Sequence, residues 1–149
     1  GDDAILTAFR ESVQETMEEM EQSMKTRTRK GGKNEHPITG NMVWGEFIHF
    51  TARPVNGIPD PHLHAHAVAF NTTYDHVEKQ WKAGEFVDLK RNAPYYQATF
   101  DARIAKKLSE MGYNIERRGN AINGKGWEIA AIPTSVTHHS LYFFGKTLI

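Results

Sequence analysis

The chain has 149 residues, no cysteine, and 18 basic and 18 acidic residues that cancel to zero net charge. This length suits one domain with a core of its own, while the lack of cysteine excludes disulfides, zinc–thiolate sites and a cysteine nucleophile. No apolar run reaches the roughly 20 residues that span a bilayer, and the first residues lack the signal-peptide pattern. We therefore expect one cytoplasmic domain over residues 1–149, in which any contact with nucleic acid uses a local basic patch.

An amphipathic helix is predicted from Asp2 to about Lys25, because apolar residues recur there at steps of three and four. The stripe consists of Leu6, Phe9, Val13, Met17, Met20 and Met24. A basic segment follows and surrounds Gly31 and Gly32, which indicates a loop or hairpin. Its basic residues are Lys25, Arg27, Arg29, Lys30 and Lys33. The segment is either a solvated turn or a phosphate contact.

Two strands with alternating side chains are predicted over residues 43–51 and 62–69. Residues 53–61 between them are rich in proline and glycine, so the strands should pair in antiparallel fashion. Further along, residues 71–76 resemble a polar turn, and residues 79–82 and 85–89 resemble short strands. A second helix should run from near Pro94 to Gly112.

The last part of the chain is predicted to contain a hairpin with arms at residues 113–117 and 126–130. Residues 134–149 fit no clear pattern beyond a possible short helix. Two helices among several antiparallel strands indicate an α+β fold, in which helices pack on an antiparallel sheet.

Histidines are concentrated in the second of the two alternating strands. His62, His64 and His66 should project from one face, and His49 on the preceding strand could lie beside them. Crowded imidazoles repel one another when protonated, whereas a divalent cation binds their neutral nitrogens. The cluster therefore predicts a metal site with positions open to water or substrate.

Three chemistries are compatible with such a site. A zinc hydrolase needs a bound water and a general base. A cupin-like oxygenase needs a glutamate shortly after the histidine pair, and residues 67–71 contain none. The third possibility is a metal that holds one phosphate of single-stranded DNA while a tyrosine attacks it.

Several segments resemble one family, the MobF class of conjugative relaxases (TrwC/TraI type), which belong to the His-hydrophobe-His endonucleases. The resemblance spans residues 1 to about 136, with a specific Asp-Pro-x-Leu lead before the histidine pair. The matching segments are residues 39–43, 47–53, 60–68, 71, 81–82, 95–113 and 127–129.

The resemblance implies a partial relaxase fold and the nicking of transfer-origin single-stranded DNA by tyrosine transesterification. It implies that His49, His64 and His66 hold one divalent ion, which could be Mg, Mn, Zn or Ni, and that His62 is not required. It places Arg53 near the DNA. We also predict DNA contacts from the basic segment, through Arg27, Arg29 and Lys30.

The family's nucleophilic tyrosine precedes the point that corresponds to Gly1, so no catalytic residue is assigned in this chain. Tyr95 and Tyr96 match a later helix instead. We therefore expect residues 1–149 to be the central to C-terminal part of a relaxase domain, with a divergent tail over 137–149, and to be inactive alone. The alternative is a non-catalytic remnant that binds single-stranded DNA or a protein. Missing strands would leave a sheet edge that a second copy could cover, which predicts a homodimer.

Overall fold

The computed structural model describes residues 2–51, 54, 57, 61–117, 127–129 and 139–146. The helices are α1 Asp2–Gln22, α2 Val87–Arg91 and α3 Ala93–Glu110. The strands are β1 Lys25–Thr26, β2 Thr28–Lys30, β3 Lys33–Glu35, β4 Trp44–Thr51, β5 Pro61–Phe70, β6 Thr73–Asp75, β7 Gln80–Lys82, β8 Gly84–Glu85, β9 Ile115–Arg117, β10 Trp127–Ile129 and β11 His139–Lys146. Within these ranges, no helix has the length and apolar character needed to cross a bilayer.

The two long helices pack against each other through the predicted apolar stripes, so both helix predictions are confirmed. Phe9 of α1 and Phe100 of α3 are fully buried, with their rings edge to face and ring centres 5.4 Å apart. Pro94 lies in the first turn of α3, and Gly112 follows the helix end with φ of 93°, a conformation that favours glycine.

A belt of polar contacts flanks this apolar seam. Arg103 of α3 donates hydrogen bonds to Thr16 and Glu19 of α1, and Lys107 contacts Glu11 and Glu15. Each such pair contributes little free energy at a surface. Together they restrict how far one helix can slide along the other.

The central sheet has the strand order β11-β5-β4. Strands β4 and β5 pair in antiparallel register as predicted, with Ile48 opposite Ala65 on one face and His49 opposite His64 on the other. The face with Ala65, Ala67 and Ala69 is buried in the same core cluster as the stripes of α1 and α3. The histidines lie on the opposite face, away from this core.

The basic segment forms a hairpin, β2–β3, and the predicted pairing of residues 113–117 with 126–130 is confirmed by β9 and β10. Arg53 and most of the predicted turn at residues 53–61 lie outside the described residues.

Three local predictions are wrong. Residues 73–75 form strand β6 instead of a turn, because the Asn41 side chain bonds both the amide and the carbonyl of Tyr74 as a neighbouring strand would. Residues 87–89 belong to helix α2 instead of a strand, with Leu89 buried in the core. The tail contains strand β11, parallel to β5, instead of a helix, so the central sheet is mixed.

We expect Phe100→Ala to reduce the free energy of unfolding by about 3–5 kcal/mol, because it removes a buried ring and leaves a cavity between α1 and α3. Urea denaturation followed by circular dichroism measures this change. Val77→Ala, at a highly exposed apolar position, is the matched control and should change the free energy by less than about 0.5 kcal/mol. A Phe100→Ala protein as stable as the wild type would contradict the assigned core.

Candidate metal centre

The histidine face of the sheet is produced by strand alternation on β4 and β5. The register sets His49 opposite His64, and Phe47 opposite His66. Side chains opposite each other in an antiparallel pair project from the same face. Three imidazoles from two strands therefore share one small area of the sheet.

The rings of His49, His64 and His66 form a nearly equilateral triangle. Ring centres are separated by 5.1 Å for His49 and His64, 5.0 Å for His49 and His66, and 5.1 Å for His64 and His66. Nitrogen–metal bonds of about 2.0–2.1 Å hold the ring centres of three ligands about 5 Å apart around one ion. The spacing of the rings therefore fits a shared ion.

The donor atoms do not yet converge on such an ion. Among the described residues, no group of three or more His, Asp or Glu side chains is arranged as a ready-made metal site. The ring planes explain this: those of His49 and His64 are inclined by only 16°, so the two rings are stacked. Rotation of the side chains would be needed to turn their nitrogens toward one point.

A hydrogen bond identifies which ring nitrogen of His64 carries the proton. Nδ1 of His64 lies 3.0 Å from the backbone carbonyl oxygen of His62, and a carbonyl oxygen can only accept. Nδ1 must therefore carry the proton, which gives the neutral ring its lone pair on Nε2. Metal-ligating histidines are commonly oriented in this way by a hydrogen bond on their other nitrogen.

The environment of His66 favours its neutral form. Burial lowers the pKa of His66 below its ordinary value, and the neighbouring His64 and His49 lower it further, because a positive charge there would be poorly solvated and repelled. A neutral imidazole is the form that binds a metal. His66 thus resists protonation at a position where a cation could bind in place of the proton.

His62 lies beside this triangle, at an irregular position of the strand pairing. On β4 one residue lies between His49 and Thr51, whereas on β5 two residues lie between their partners His64 and Pro61. Strand β5 therefore carries one extra residue, and the pairing shifts. The ring of His62 lies 4.7 Å from that of His64 and is half-buried. The His62 ring is thus as near to His64 as the rings of the triangle are to one another, and only the irregular pairing distinguishes His62 from them.

The predicted DNA-contacting residues are not all at this centre. Arg27, Arg29 and Lys30 are exposed on or beside β2, in a hairpin separate from the central sheet. Arg53, which follows β4, lies outside the described residues.

The surroundings of Tyr95 and Tyr96 differ from those of a free phenol. Tyr96 is buried in the core of α3. Tyr95 donates a hydrogen bond of 2.6 Å to Glu19, and this bond raises the pKa of Tyr95 above its ordinary value. Burial keeps the Tyr96 hydroxyl away from a phosphate, and the raised pKa of Tyr95 disfavours the phenolate that attack on phosphorus requires.

The sequence interpretation overlooked one residue on the histidine face. Phe47 lies on the same face as His49 and is 57% exposed. The signal was present, because Phe47 precedes His49 by two residues in the alternating run of β4.

Solved structures of a conjugative relaxase resemble this chain closely in fold. TrwC in complex with mutant oriT DNA is 30% identical with a TM-score of 0.79, over 90% of this chain and 45% of that chain. A metal-bound complex of TrwC with oriT DNA is 31% identical with a TM-score of 0.79, over 89% and 43%. TrwC with a 27-mer DNA comprising the recognition hairpin and the cleavage site is 32% identical with a TM-score of 0.79, over 91% and 45%.

Sequence comparison leads to the same group of proteins. The multifunctional conjugation protein TraI of Escherichia coli is 27% identical over 140 residues, which is 89% of this chain and 8% of TraI. The chain thus spans less than half of the TrwC chains and a small part of TraI. The family model for TrwC relaxase matches residues 1–140. Because this match covers nearly the whole chain and agrees with the fold, the chain belongs to the TrwC relaxase family.

Proposed function

We propose that these 149 residues are the metal-binding part of a relaxase domain and hold a phosphate of transfer-origin single-stranded DNA at His49, His64 and His66. The triangle of imidazole rings with sides of 5.0–5.1 Å is the observation that carries this proposal. The metal-bound complex of TrwC with oriT DNA supports it from a relative.

In this proposal, the chain's own residues supply imidazole nitrogen ligands at a ring spacing that fits one ion. His64 is oriented by the carbonyl of His62, and the lowered pKa of His66 keeps that ring unprotonated. A bound divalent ion would supply Lewis-acid polarisation of a phosphoryl oxygen. Imidazole nitrogen suits Mn, Zn or Ni better than Mg, which prefers oxygen ligands.

We infer that this chain does not cleave DNA by itself. Relaxase chemistry of the expected kind needs a tyrosine hydroxyl free to attack the phosphate, and the paired tyrosines do not supply one, because Tyr96 is buried and Tyr95 is bonded to Glu19. The alternative function, a non-catalytic module that binds single-stranded DNA or a protein, is favoured by the same observation. The two functions differ in whether a covalent protein–DNA link can form.

The β2–β3 hairpin is proposed as a second contact with the DNA backbone. Lys30 lies directly opposite Lys33, next to a turn in which Gly31 and Gly32 both have positive φ. Like charges opposite each other destabilise a hairpin, and a phosphate between them would relieve the repulsion. In the described part of the chain, Arg27, Arg29 and Lys30 form no ion pair that would occupy them.

The homodimer and the cytoplasmic location stay predictions. The described residues leave the outer edge of β4 unpaired in the strand order β11-β5-β4, which is the feature that a second copy would cover. The comparisons give no support to a dimer.

We expect His64→Ala to abolish the thermal stabilisation that Mn²⁺ or Zn²⁺ gives to the wild type. At an ion concentration about 100 times the dissociation constant, that stabilisation should be roughly 5–10 °C, as measured by differential scanning fluorimetry. His76→Ala, which removes an exposed histidine in the turn between β6 and β7, is the control and should keep this stabilisation. Unchanged stabilisation of His64→Ala would reject the ligand assignment, and loss in His62→Ala would extend it.

Incubation with an oligonucleotide that carries a transfer-origin hairpin and cleavage site, in the presence of Mn²⁺, should give binding without a covalent product. Native gel mobility reports binding, and a denaturing gel reports any covalent adduct. An adduct would contradict the inferred lack of a nucleophile, and peptide mapping would then identify the tyrosine. Neither binding nor an adduct would reject both the relaxase and the DNA-binding functions.

Combined Arg29→Ala and Lys30→Ala substitutions should weaken oligonucleotide binding and lower the slope of log affinity against log salt by about 1–2, because two phosphate contacts are lost. Fluorescence anisotropy over a salt series measures the slope. Lys106→Ala, at an exposed lysine of α3, is the control. An unchanged slope in the double variant would show that the hairpin is only a solvated turn.

A further inference from the structure

The histidine face of the sheet continues into an apolar row. Along β4 the residues on this face are His49, Phe47 and Gly45, which lie opposite His64, His66 and Val68 of β5. Along each strand, the face thus changes from an imidazole to an apolar group within two residues.

Phe47 is exposed to solvent, unlike the apolar residues of β4 that face the core. Its side chain is 57% exposed, while Ile48 and Trp44 on the other face pack against the core cluster. A β-carbon added to Gly45 would lie 3.9 Å from Cε2 of Phe47, so the ring leans along the strand over Gly45. Because Gly45 has no side chain, the Phe47 ring lies close to the sheet, and much of the ring's surface is exposed to solvent.

The charge on this face suits an anionic ligand. Glu46 is the carboxylate of β4, and it projects from the opposite face and pairs with Arg10 of α1. Among the described residues of β4 and β5, no carboxylate shares the face with Phe47 and the imidazoles. A phosphate that approaches the three histidines therefore meets no negative side chain from these strands.

We propose that Phe47 is a stacking platform for a base of the single-stranded DNA whose phosphate lies at His49, His64 and His66. This inference rests on the proposed function. Phe47 and His49 are two residues apart on one strand, about 6.5–7 Å. A nucleotide carries a phosphate and a flat apolar base within similar reach, and this face presents a partner for each.

Stacking on an aromatic side chain is tolerant of base identity, because every base has a π-face. Phe47 would therefore position the strand over the metal ligands without reading its sequence. Sequence recognition would come from other parts of the interface.

The test compares Phe47→Ala with the wild type in binding a fluorescein-labelled oligothymidine of about 12 nucleotides with Mn²⁺ present. We expect binding about 5- to 100-fold weaker for Phe47→Ala. Phe50→Ala is the matched control, because Phe50 is 59% exposed on the same strand but follows His49 where the pairing becomes irregular. It should bind as the wild type does.

A second arm separates base stacking from backbone contact. On an oligomer of abasic sugar phosphates of the same length, Phe47→Ala and the wild type should bind equally, because no base is left to stack. Phe47→Trp should restore binding to oligothymidine, and its fluorescence should be quenched by that strand and not by the abasic oligomer. Mn²⁺-dependent thermal stabilisation of Phe47→Ala should match the wild type, which verifies that the histidine site is intact.

The outcomes distinguish this inference from the function beneath it. If the wild type binds oligothymidine and Phe47→Ala binds it equally well, stacking is wrong while the proposed function stands. An equal loss on both oligomers would assign Phe47 to backbone contact or to packing and also overturn stacking. A wild type that binds no oligonucleotide would overturn the proposed function and this inference with it.

Discussion

The pairing of His49 with His64 across β4 and β5 is the constraint on which the candidate site depends. A shift of one residue in this pairing would turn every side chain of one strand to the other face. His49 would then project into the core, and Ile48 would take its place beside the imidazoles. The register is set by burial, because Ala65, Ala67 and Ala69 must face the helices and are fully buried there. The core face therefore determines the geometry of the opposite face.

Small residues on the core face of β5 have a further consequence. Alanine side chains let the large residues of α1 and α3, such as Phe9, Met17 and Phe100, fill the space against the sheet. The central strand is thereby held rigidly by its buried face, while its other face is left for ligands. Such an arrangement, in which a functional face is supported by a packed layer behind it, suits a site in which side chains from two strands act on one ligand.

Much of this architecture could be predicted from the sequence because the signals are local. The stripes of α1 and α3 and the alternation of β4 and β5 each follow from residue spacing within one element, and all four are confirmed. The resemblance to relaxases is confirmed by the TrwC relaxase family model.

The wrong predictions fall where the local sequence pattern is weak or where residues distant in the chain determine the structure. Residues 87–89 are too short an apolar run to separate helix from strand, and β6 depends on hydrogen bonds from Asn41, more than 30 positions earlier in the chain. The parallel pairing of β11 with β5 joins segments far apart in sequence, so no neighbouring residues indicate it.

The histidine cluster itself shows where sequence reasoning reaches its limit. Alternation predicted that His62, His64 and His66 are equivalent, whereas the extra residue of β5 between Pro61 and His64 places His62 at an irregular position of the pairing. The same local geometry sets the His62 carbonyl against Nδ1 of His64, so a backbone carbonyl of β5 orients this ring. A carboxylate in that role would add negative charge beside the ion, whereas a backbone carbonyl adds only a dipole. In the proposed site, an ion held by three neutral imidazoles would keep its full positive charge for a phosphate, and the absence of carboxylates on the histidine face among the described residues of β4 and β5 acts in the same direction. The identity of these ligands thus favours binding of an anion over neutralisation of the metal by the protein.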